Sequence, residues 1–122
     1  MRNSLYSGKV VVITGSTQGL GEAVARKMVA EKAAGVSISG RNVERGKALA
    51  EELTVLGTPT IFVRTELENP DECRNLIRQS VEHFGRLDGL VNSAGITTRG
   101  TLEGSSVELW DQHMAVNARA PF

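Results

Sequence analysis

The sequence from residue 10 to residue 21 is Val-Val-Val-Ile-Thr-Gly-Ser-Thr-Gln-Gly-Leu-Gly. Its first four residues form a continuous β-branched run, which is typical of a strand buried on both faces of a parallel sheet. The glycines that follow, Gly15, Gly19 and Gly21, predict a sharp turn that presents backbone N–H groups. A helix pattern comes next. A strand, a glycine-rich turn and a helix N-terminus in this order favour binding of a nucleotide phosphate.

The spacing of the loop, Gly-x-x-x-Gly-x-Gly, distinguishes it from two common phosphate-binding loops. It lacks the Gly-Lys-Ser/Thr ending of a P-loop, and it differs from the Gly-x-Gly-x-x-Gly dinucleotide fingerprint. A tight turn without any ligand is the alternative interpretation of such a glycine cluster. The candidate cofactor-binding residues of the loop are Thr14, Gly15, Ser16, Thr17, Gln18, Gly19, Leu20 and Gly21.

Strand and helix patterns alternate along the whole chain. Helix patterns separate predicted strands at residues 10–13, 36–39, 60–63 and 87–91. One helix is predicted to stop at Gly57, one to begin at Asn69-Pro70, and the last to run from Ser105 onward. This order predicts an α/β fold of Rossmann type, with a parallel sheet in strand order 3-2-1-4. The fourth strand is apolar for a sheet edge, so we expect another strand beside it.

Composition excludes several classes of protein. The 122 residues include 14 basic and 14 acidic ones, and zero net charge provides no electrostatic footprint for nucleic acid or an anionic membrane. No stretch approaches the roughly 18 apolar residues of a membrane span. Two histidines and a single cysteine favour neither a metal site nor an internal disulfide. We expect a soluble, cytoplasmic protein.

The residues that follow the second strand bear on cofactor choice. Rossmann sites usually carry Asp or Glu there to bind the ribose 2′-hydroxyl, whereas this chain has Gly40 followed by Arg41. A guanidinium can pair with a 2′-phosphate through charge-assisted hydrogen bonds. Arg41 therefore favours NADP(H) over NAD(H). The alternative is a solvated arginine at a strand end.

Several motifs in order along the chain carry a family resemblance. Residues 14–21 resemble the Thr-Gly-x-x-x-Gly-x-Gly loop of the short-chain dehydrogenase/reductase family, with every fixed position met. Residues 92–95, Asn-Ser-Ala-Gly, resemble the family's Asn-Asn-Ala-Gly motif, with Ser93 in place of the second Asn. Glu66-Leu67 resembles the Asp-Val/Leu pair that touches the adenine, and Asn117 matches the Asn of the catalytic tetrad.

The resemblance implies an NAD(P)-dependent oxidoreductase that transfers hydride between the nicotinamide and a carbonyl or secondary alcohol. It also implies a small-molecule substrate, a homo-oligomer and a relay role in catalysis for Asn117. The further cofactor-binding residues that it implies are Glu66, Leu67, Asn92, Ser93, Ala94 and Gly95. A solvated Glu66, an ordinary turn Asn92 and a structural Asn117 are the alternatives.

The chain differs from the family pattern in its catalytic residues. The family's Ser and its Tyr-x-x-x-Lys pair lie beyond residue 122, and the only tyrosine here, Tyr6, is followed four residues later by Val10. We therefore expect residues 1–122 to be the N-terminal part of a single dinucleotide-binding Rossmann domain, without the C-terminal catalytic half and inactive alone. A non-catalytic dinucleotide-binding module is the alternative, and a small flavodoxin-like binding domain ranks last.

Two further residues have structural interpretations only. His113, near Trp110 and Met114, indicates helix packing. Cys73 lies on the apolar face of a predicted helix and indicates an inert core thiol.

Overall fold

The structure is a computed structural model that describes residues 4–122. Strands and helices alternate, as the sequence predicted. The strands are β1 (Val10–Ile13), β2 (Gly35–Gly40), β3 (Thr60–Arg64) and β4 (Gly89–Val91). The helices are α1 (Gly19–Ala30), α2 (Val43–Val55), α3 (Pro70–Phe84) and α4 (Val107–Met114), and α4 continues directly into a π-helical segment, Ala115–Arg119.

The four strands form one parallel sheet in the order β3-β2-β1-β4, which confirms the predicted α/β Rossmann-type topology. The register aligns the carboxyl ends of the strands, because Ile13 of β1 lies opposite Ile38 of β2 and Val91 of β4. The loops that follow these strands therefore meet at one edge of the sheet. This edge is where open α/β sheets bind their ligands.

Apolar side chains cover both faces of the sheet. On one face, Val36 and Ile38 of β2 belong to a buried cluster with Met28 of α1 and Leu53 of α2. On the other face the buried cluster is smaller and consists of Val12, Val63 and Leu76. All four residues of β1 are buried, as their continuous β-branched run predicted.

Side-chain caps explain where the helices begin. Asn69 accepts a hydrogen bond from the Asp71 N–H at 2.9 Å and Pro70 occupies the first turn, so the predicted start of α3 is confirmed. The last helix begins two residues later than predicted, at Val107, because Ser106 is its cap and accepts from the Leu109 N–H at 3.1 Å.

Strand β4 is shorter than the predicted 87–91, and within the described chain its hydrogen-bonded neighbour is β1 alone. Leu90 remains 44% exposed. Asp88 precedes the strand and extends its contact with β1, since its N–H donates to the Val10 carbonyl and its carboxylate accepts from the Val10 N–H. Among residues 4–122, no helix combines the length and the apolar character that crossing a membrane requires.

Candidate functional site

A cleft of about 420 Å³ lies at the carboxyl edge of the sheet. It is bounded by the glycine loop, the end of β2, the loops after β3 and β4, and the last helix. Its lining residues are Gly15, Thr17, Gln18, Gly19, Leu20, Gly21, Ser39, Gly40, Arg41, Thr65, Glu66, Leu67, Glu68, Ser93, Ala94, Gly95, Ile96, Gln112 and Val116. Most of the predicted cofactor-binding residues are therefore brought together.

The glycine loop forms a tightly packed floor for this cleft. Gly15 has φ +58°, and a Cβ added to it would lie 2.8 Å from the Cα of Ala94. A Cβ on Gly21 would overlap the carbonyl oxygen of Gly15. Glycine at these two positions therefore lets three backbone segments approach one another, which explains the sequence spacing in physical terms.

Thr14 and Ser16 hold the loop in place from beneath and do not line the cleft. The Ser16 hydroxyl donates to the Ile13 carbonyl at 2.7 Å and accepts from the Ser39 N–H at 2.8 Å. The Thr14 hydroxyl oxygen accepts from the N–H groups of Ser93 and Ala94, each at 3.2 Å. Thr14 thus couples the loop after β1 to the loop after β4.

The N-terminus of α1 opens into the cleft. Its N-cap residue, Gln18, makes no side-chain capping hydrogen bond to the helix. The Gln18 amide oxygen accepts instead from the Arg45 guanidinium of α2 at 2.6 Å. Because Gly19, Leu20 and Gly21 line the cleft, the unpaired N–H groups of the first turn are available to an anion there.

Arg41 and Glu66 lie together where β2 and β3 end. Arg41 Nη1 is 3.8 Å from Glu66 Oε1, and Arg64 Nη2 is 3.2 Å from Glu66 Oε2. Glu66 therefore faces two guanidinium groups. The backbone N–H of Glu66 donates to the Glu72 carboxylate at 3.0 Å, which fixes the start of the loop after β3. Gly40 has no side chain to oppose a phosphate beside Arg41, and a Cβ there would lie 2.8 Å from Thr17 Oγ1.

The motif at residues 92–95 divides between two cavities. Ser93, Ala94 and Gly95 line the main cleft. Asn92 borders a second, mostly apolar cavity of about 380 Å³ between α3, β4 and the last residues of the chain. Thr14 also lies on that side. Asn92 is thus separated from the predicted cofactor-binding group, because consecutive residues at a strand end point to opposite faces.

Asn117, in the π-helical segment, forms hydrogen bonds with the backbone of the loop after β4. Its Nδ2 donates to the Ile96 carbonyl and its Oδ1 accepts from the Ile96 N–H, both at 2.8 Å. A Cβ on Gly95 would lie 3.4 Å from the same Oδ1. In this structure the side chain that was predicted as a relay makes a two-point backbone contact. π-helical turns are frequent at functional sites.

Sequence reasoning missed three residues of the last helical segments that hold the loops of the cleft. Gln112 Nε2 donates to Glu68 Oε1 at 3.0 Å, and Arg119 Nη2 donates to the Glu68 carbonyl at 2.5 Å. His113 Nε2 accepts from the Thr98 N–H at 3.1 Å. The helix-packing interpretation of His113 and its neighbours was wrong, since Trp110 remains 68% exposed. No local pattern could reveal these pairs, whose members are far apart in sequence.

Cys73 lies beside the second cavity and is half-buried. Its thiol contacts the Leu67 carbonyl at 3.5 Å, and burial raises its pKa. A raised pKa lowers the thiolate fraction, which agrees with the predicted unreactive thiol. Within residues 4–122, no group of three or more His, Cys, Asp or Glu side chains is arranged to hold a metal ion.

Comparison with known proteins connects this geometry to a family. A family model described as short chain dehydrogenase matches residues 9–122. The 2,5-dichloro-2,5-cyclohexadiene-1,4-diol dehydrogenase of Sphingobium indicum is 39% identical over 122 residues, which are 100% of this chain and 48% of that protein. The chain thus spans about half the length of the curated relatives it matches.

Solved structures superpose on the chain along almost its full length. A blue fluorescent protein from a metagenomic library, in complex with NADPH, matches with a TM-score of 0.92 and 29% identity, over 99% of this chain and 49% of that one. A short-chain dehydrogenase/reductase from Burkholderia phymatum, in complex with NAD, matches with a TM-score of 0.89 and 29% identity, over 99% of this chain and 42% of that one. The two neighbours bind different nicotinamide dinucleotides.

Proposed function

The chain belongs to the short-chain dehydrogenase family, and on this premise we propose that its cleft binds NADP(H), in preference to NAD(H), as the cofactor-binding part of an oxidoreductase. The proposed reaction is hydride transfer between the nicotinamide and a carbonyl or secondary alcohol of a small molecule, with the bound cofactor supplying or accepting the hydride. The observation that carries the proposal is the close packing of Gly15 against Ala94 and Gly21, which places a tight glycine loop and the N-terminus of α1 at the floor of the cleft.

The chain's residues fit a dinucleotide phosphate at this floor. A Cβ at Gly15 or Gly21 would collide with backbone atoms of the chain itself, so these glycines keep the loop tightly folded beneath the cleft. Gly19 also lines the cleft and has open space where its Cβ would lie, which leaves room for a phosphate. The first-turn N–H groups of α1 have no side-chain cap from Gln18. Unpaired N–H groups and the positive end of the helix dipole both favour a phosphate there.

The preference for NADP(H) is supported by charge at the end of β2. Arg41 lines the cleft and is mostly exposed, and Arg45 on α2 reaches the glycine loop through Gln18. Gly40 offers no carboxylate to repel a 2′-phosphate. Glu66 counteracts this preference in part, because its carboxylate shares the neighbourhood of Arg41. We therefore propose Arg41 as the residue that selects the cofactor.

Loop positions 93–95 would face the nicotinamide half of the cofactor, at the opposite end of the cleft from Arg41. Ser93, Ala94 and Gly95 are small and line the cleft, and the Thr14 hydroxyl fixes two of their N–H groups. We propose that Asn117 maintains this geometry through Ile96, in addition to the relay role that the family resemblance implies.

Catalytic turnover would require residues beyond those of this sequence. Tyr6, the only tyrosine, precedes the amino end of β1, whereas the cleft lies at the carboxyl ends of the strands. This position favours a second candidate function for the 122-residue chain by itself, dinucleotide binding without turnover. We propose that residues 1–122 form the N-terminal part of one Rossmann domain and that hydride transfer needs the remainder of that domain.

Titration of the chain with NADPH and NADH, followed by calorimetry, tests the proposal. The Gly21→Ala variant should weaken binding of both by roughly tenfold or more, equivalent to about 1.4 kcal/mol. Gly89→Ala is the matched control, since a Cβ there would make only an ordinary contact, 3.7 Å from Val11 Cγ2. Equal affinities of the two variants, or no binding by the unaltered chain, would contradict the proposal.

A further inference from the structure

Helix α4 and the π-helical segment hold both loops of the cleft with four side chains. Gln112 and Arg119 contact Glu68, in the loop after β3. His113 and Asn117 contact the loop after β4, at Thr98 and Ile96. Two of these contacts use a titratable acceptor, the Glu68 carboxylate for Gln112 and the His113 imidazole for Thr98. Of these two kinds of group, imidazole is the one that ordinarily changes charge between about pH 5 and 8.

The geometry around His113 defines its protonation state. Nδ1 lies 2.8 Å from the Leu109 carbonyl oxygen, and that oxygen can only accept. Nδ1 therefore carries a proton. Nε2 lies 3.1 Å from the Thr98 nitrogen, whose N–H can only donate. Nε2 must then be without a proton, so both contacts require the neutral Nδ1–H tautomer.

We infer that His113 is a positioning residue that holds the loop after β4 against α4 only while its imidazole ring is neutral. Protonation would place a hydrogen on Nε2 facing the Thr98 N–H, so two donors would oppose each other and the contact would be lost. Ile96, two residues before Thr98, lines the cleft. Release of the loop would therefore weaken dinucleotide binding, and this consequence rests on the proposed function.

Charged groups lie on each of the segments around this contact. Arg99 follows Thr98 in the loop, and Glu108 and Asp111 precede His113 on α4. Glu68, from the loop after β3, is bound to the neighbouring Gln112. Histidine is the side chain that ordinarily changes charge between about pH 5 and 8, which sets the range to be tested. The contact with Thr98 holds while the ring is neutral and is lost when the ring is protonated.

Two variants distinguish the loss of the hydrogen-bond acceptor at residue 113 from the protonation of that acceptor. His113→Gln keeps an acceptor at the corresponding position but does not titrate, and His113→Leu removes the acceptor. His83→Gln is the matched control, because His83 is the only other histidine and packs against Phe84 at the end of α3. All four proteins should be compared at pH 7.5 and pH 5.5.

The first readout needs no ligand. Nitrogen chemical shifts of the imidazole report the His113 tautomer, and hydrogen exchange reports the protection of the Thr98 amide in the free chain. We expect the Nδ1–H tautomer at pH 7.5 and loss of Thr98 protection at pH 5.5, in the unaltered chain and in His83→Gln. Protection in His113→Gln should not change with pH. An Nε2–H tautomer at pH 7.5 would overturn the inference. So would protection of the Thr98 amide that does not change when His113 is protonated.

The second readout is NADH affinity, chosen because NADH has no 2′-phosphate that titrates near pH 6. Affinity of the unaltered chain should fall about two- to tenfold on acidification, the value of one hydrogen bond. His113→Gln should remove this dependence, and His113→Leu should bind weakly at both pH values. A pH dependence that persists in His113→Gln would refute the link to binding. Failure of both NADPH and NADH to bind would refute the proposed function and leave the first readout to decide on His113.

Discussion

Arg41 Nη1 lies 3.8 Å from Oε1 of Glu66 at the mouth of the cleft, where the ends of β2 and β3 meet. Both side chains are partly exposed, so the ion pair itself stabilises the fold little. Its importance is for binding, since a 2′-phosphate placed beside Arg41 would meet the Glu66 carboxylate as well. The two residues therefore have opposite expected effects on cofactor choice.

Replacing Arg41 with alanine should reduce NADPH affinity by about tenfold or more, because a hydrogen bond between charged groups is worth about 1.5–3 kcal/mol. NADH affinity should change little. Calorimetric titration of both cofactors measures the ratio, and Arg78→Ala on the exposed side of α3 is the control. An Arg41→Ala variant with the original ratio would show that the guanidinium has no role in selection.

Replacing Glu66 with glutamine should raise NADPH affinity a few-fold at low salt and leave NADH affinity nearly unchanged. The reason is that the substitution removes a negative charge near Arg41 while keeping the shape of the side chain. The gain should shrink as salt is added, because exposed charges are screened. Glu82→Gln on α3 serves as the control, and a gain equal for both cofactors would argue against phosphate recognition here.

Replacing Thr14 with valine should lower the free energy of unfolding by about 1–3 kcal/mol, the cost of leaving a partly buried donor unsatisfied. The hydroxyl oxygen accepts from both Ser93 and Ala94, so the Ala94 N–H loses the partner shown here and the Ser93 N–H keeps only its bond to the Val91 carbonyl. Urea unfolding measures the change, and Thr97→Val at an exposed loop position is the isosteric control. Equal stability of the two variants would mean that the loops are coupled in another way.

Asp88 should make the stability of the chain depend on acidic pH. Hydrogen bonds from the Arg86 guanidinium and the Val10 N–H lower the pKa of its carboxyl group to about 2. Its unfolded value is about 4, so the stabilisation is complete above pH 4 and is lost as the pH falls toward 2. Thermal unfolding of Asp88→Asn should show a lower Tm than the unaltered chain at pH 7 and a similar Tm at pH 2. A constant difference in Tm across this range would contradict the prediction.

Local patterns in the sequence were sufficient for the fold and for most of the cleft. The β-branched run of β1, the cap at Asn69 and the glycine spacing are each decided within a few residues, and all lie where they were predicted. The strand order followed from alternation, because parallel crossovers have one preferred hand. The shortened β4 was less predictable, since Asp88 joins β1 through its side chain as well as its backbone.

The sequence by itself determined an α/β Rossmann-type sheet with a glycine loop at the carboxyl edge, because periodicity and glycine placement are properties of neighbouring residues. Only the tertiary structure decided which side chains share the cleft. It turned Asn92 toward the second cavity, set Glu66 between Arg41 and Arg64, and brought Asn117 and His113 against the loop after β4. These partners are distant in sequence and come together because a parallel sheet gathers the ends of all its strands at one edge.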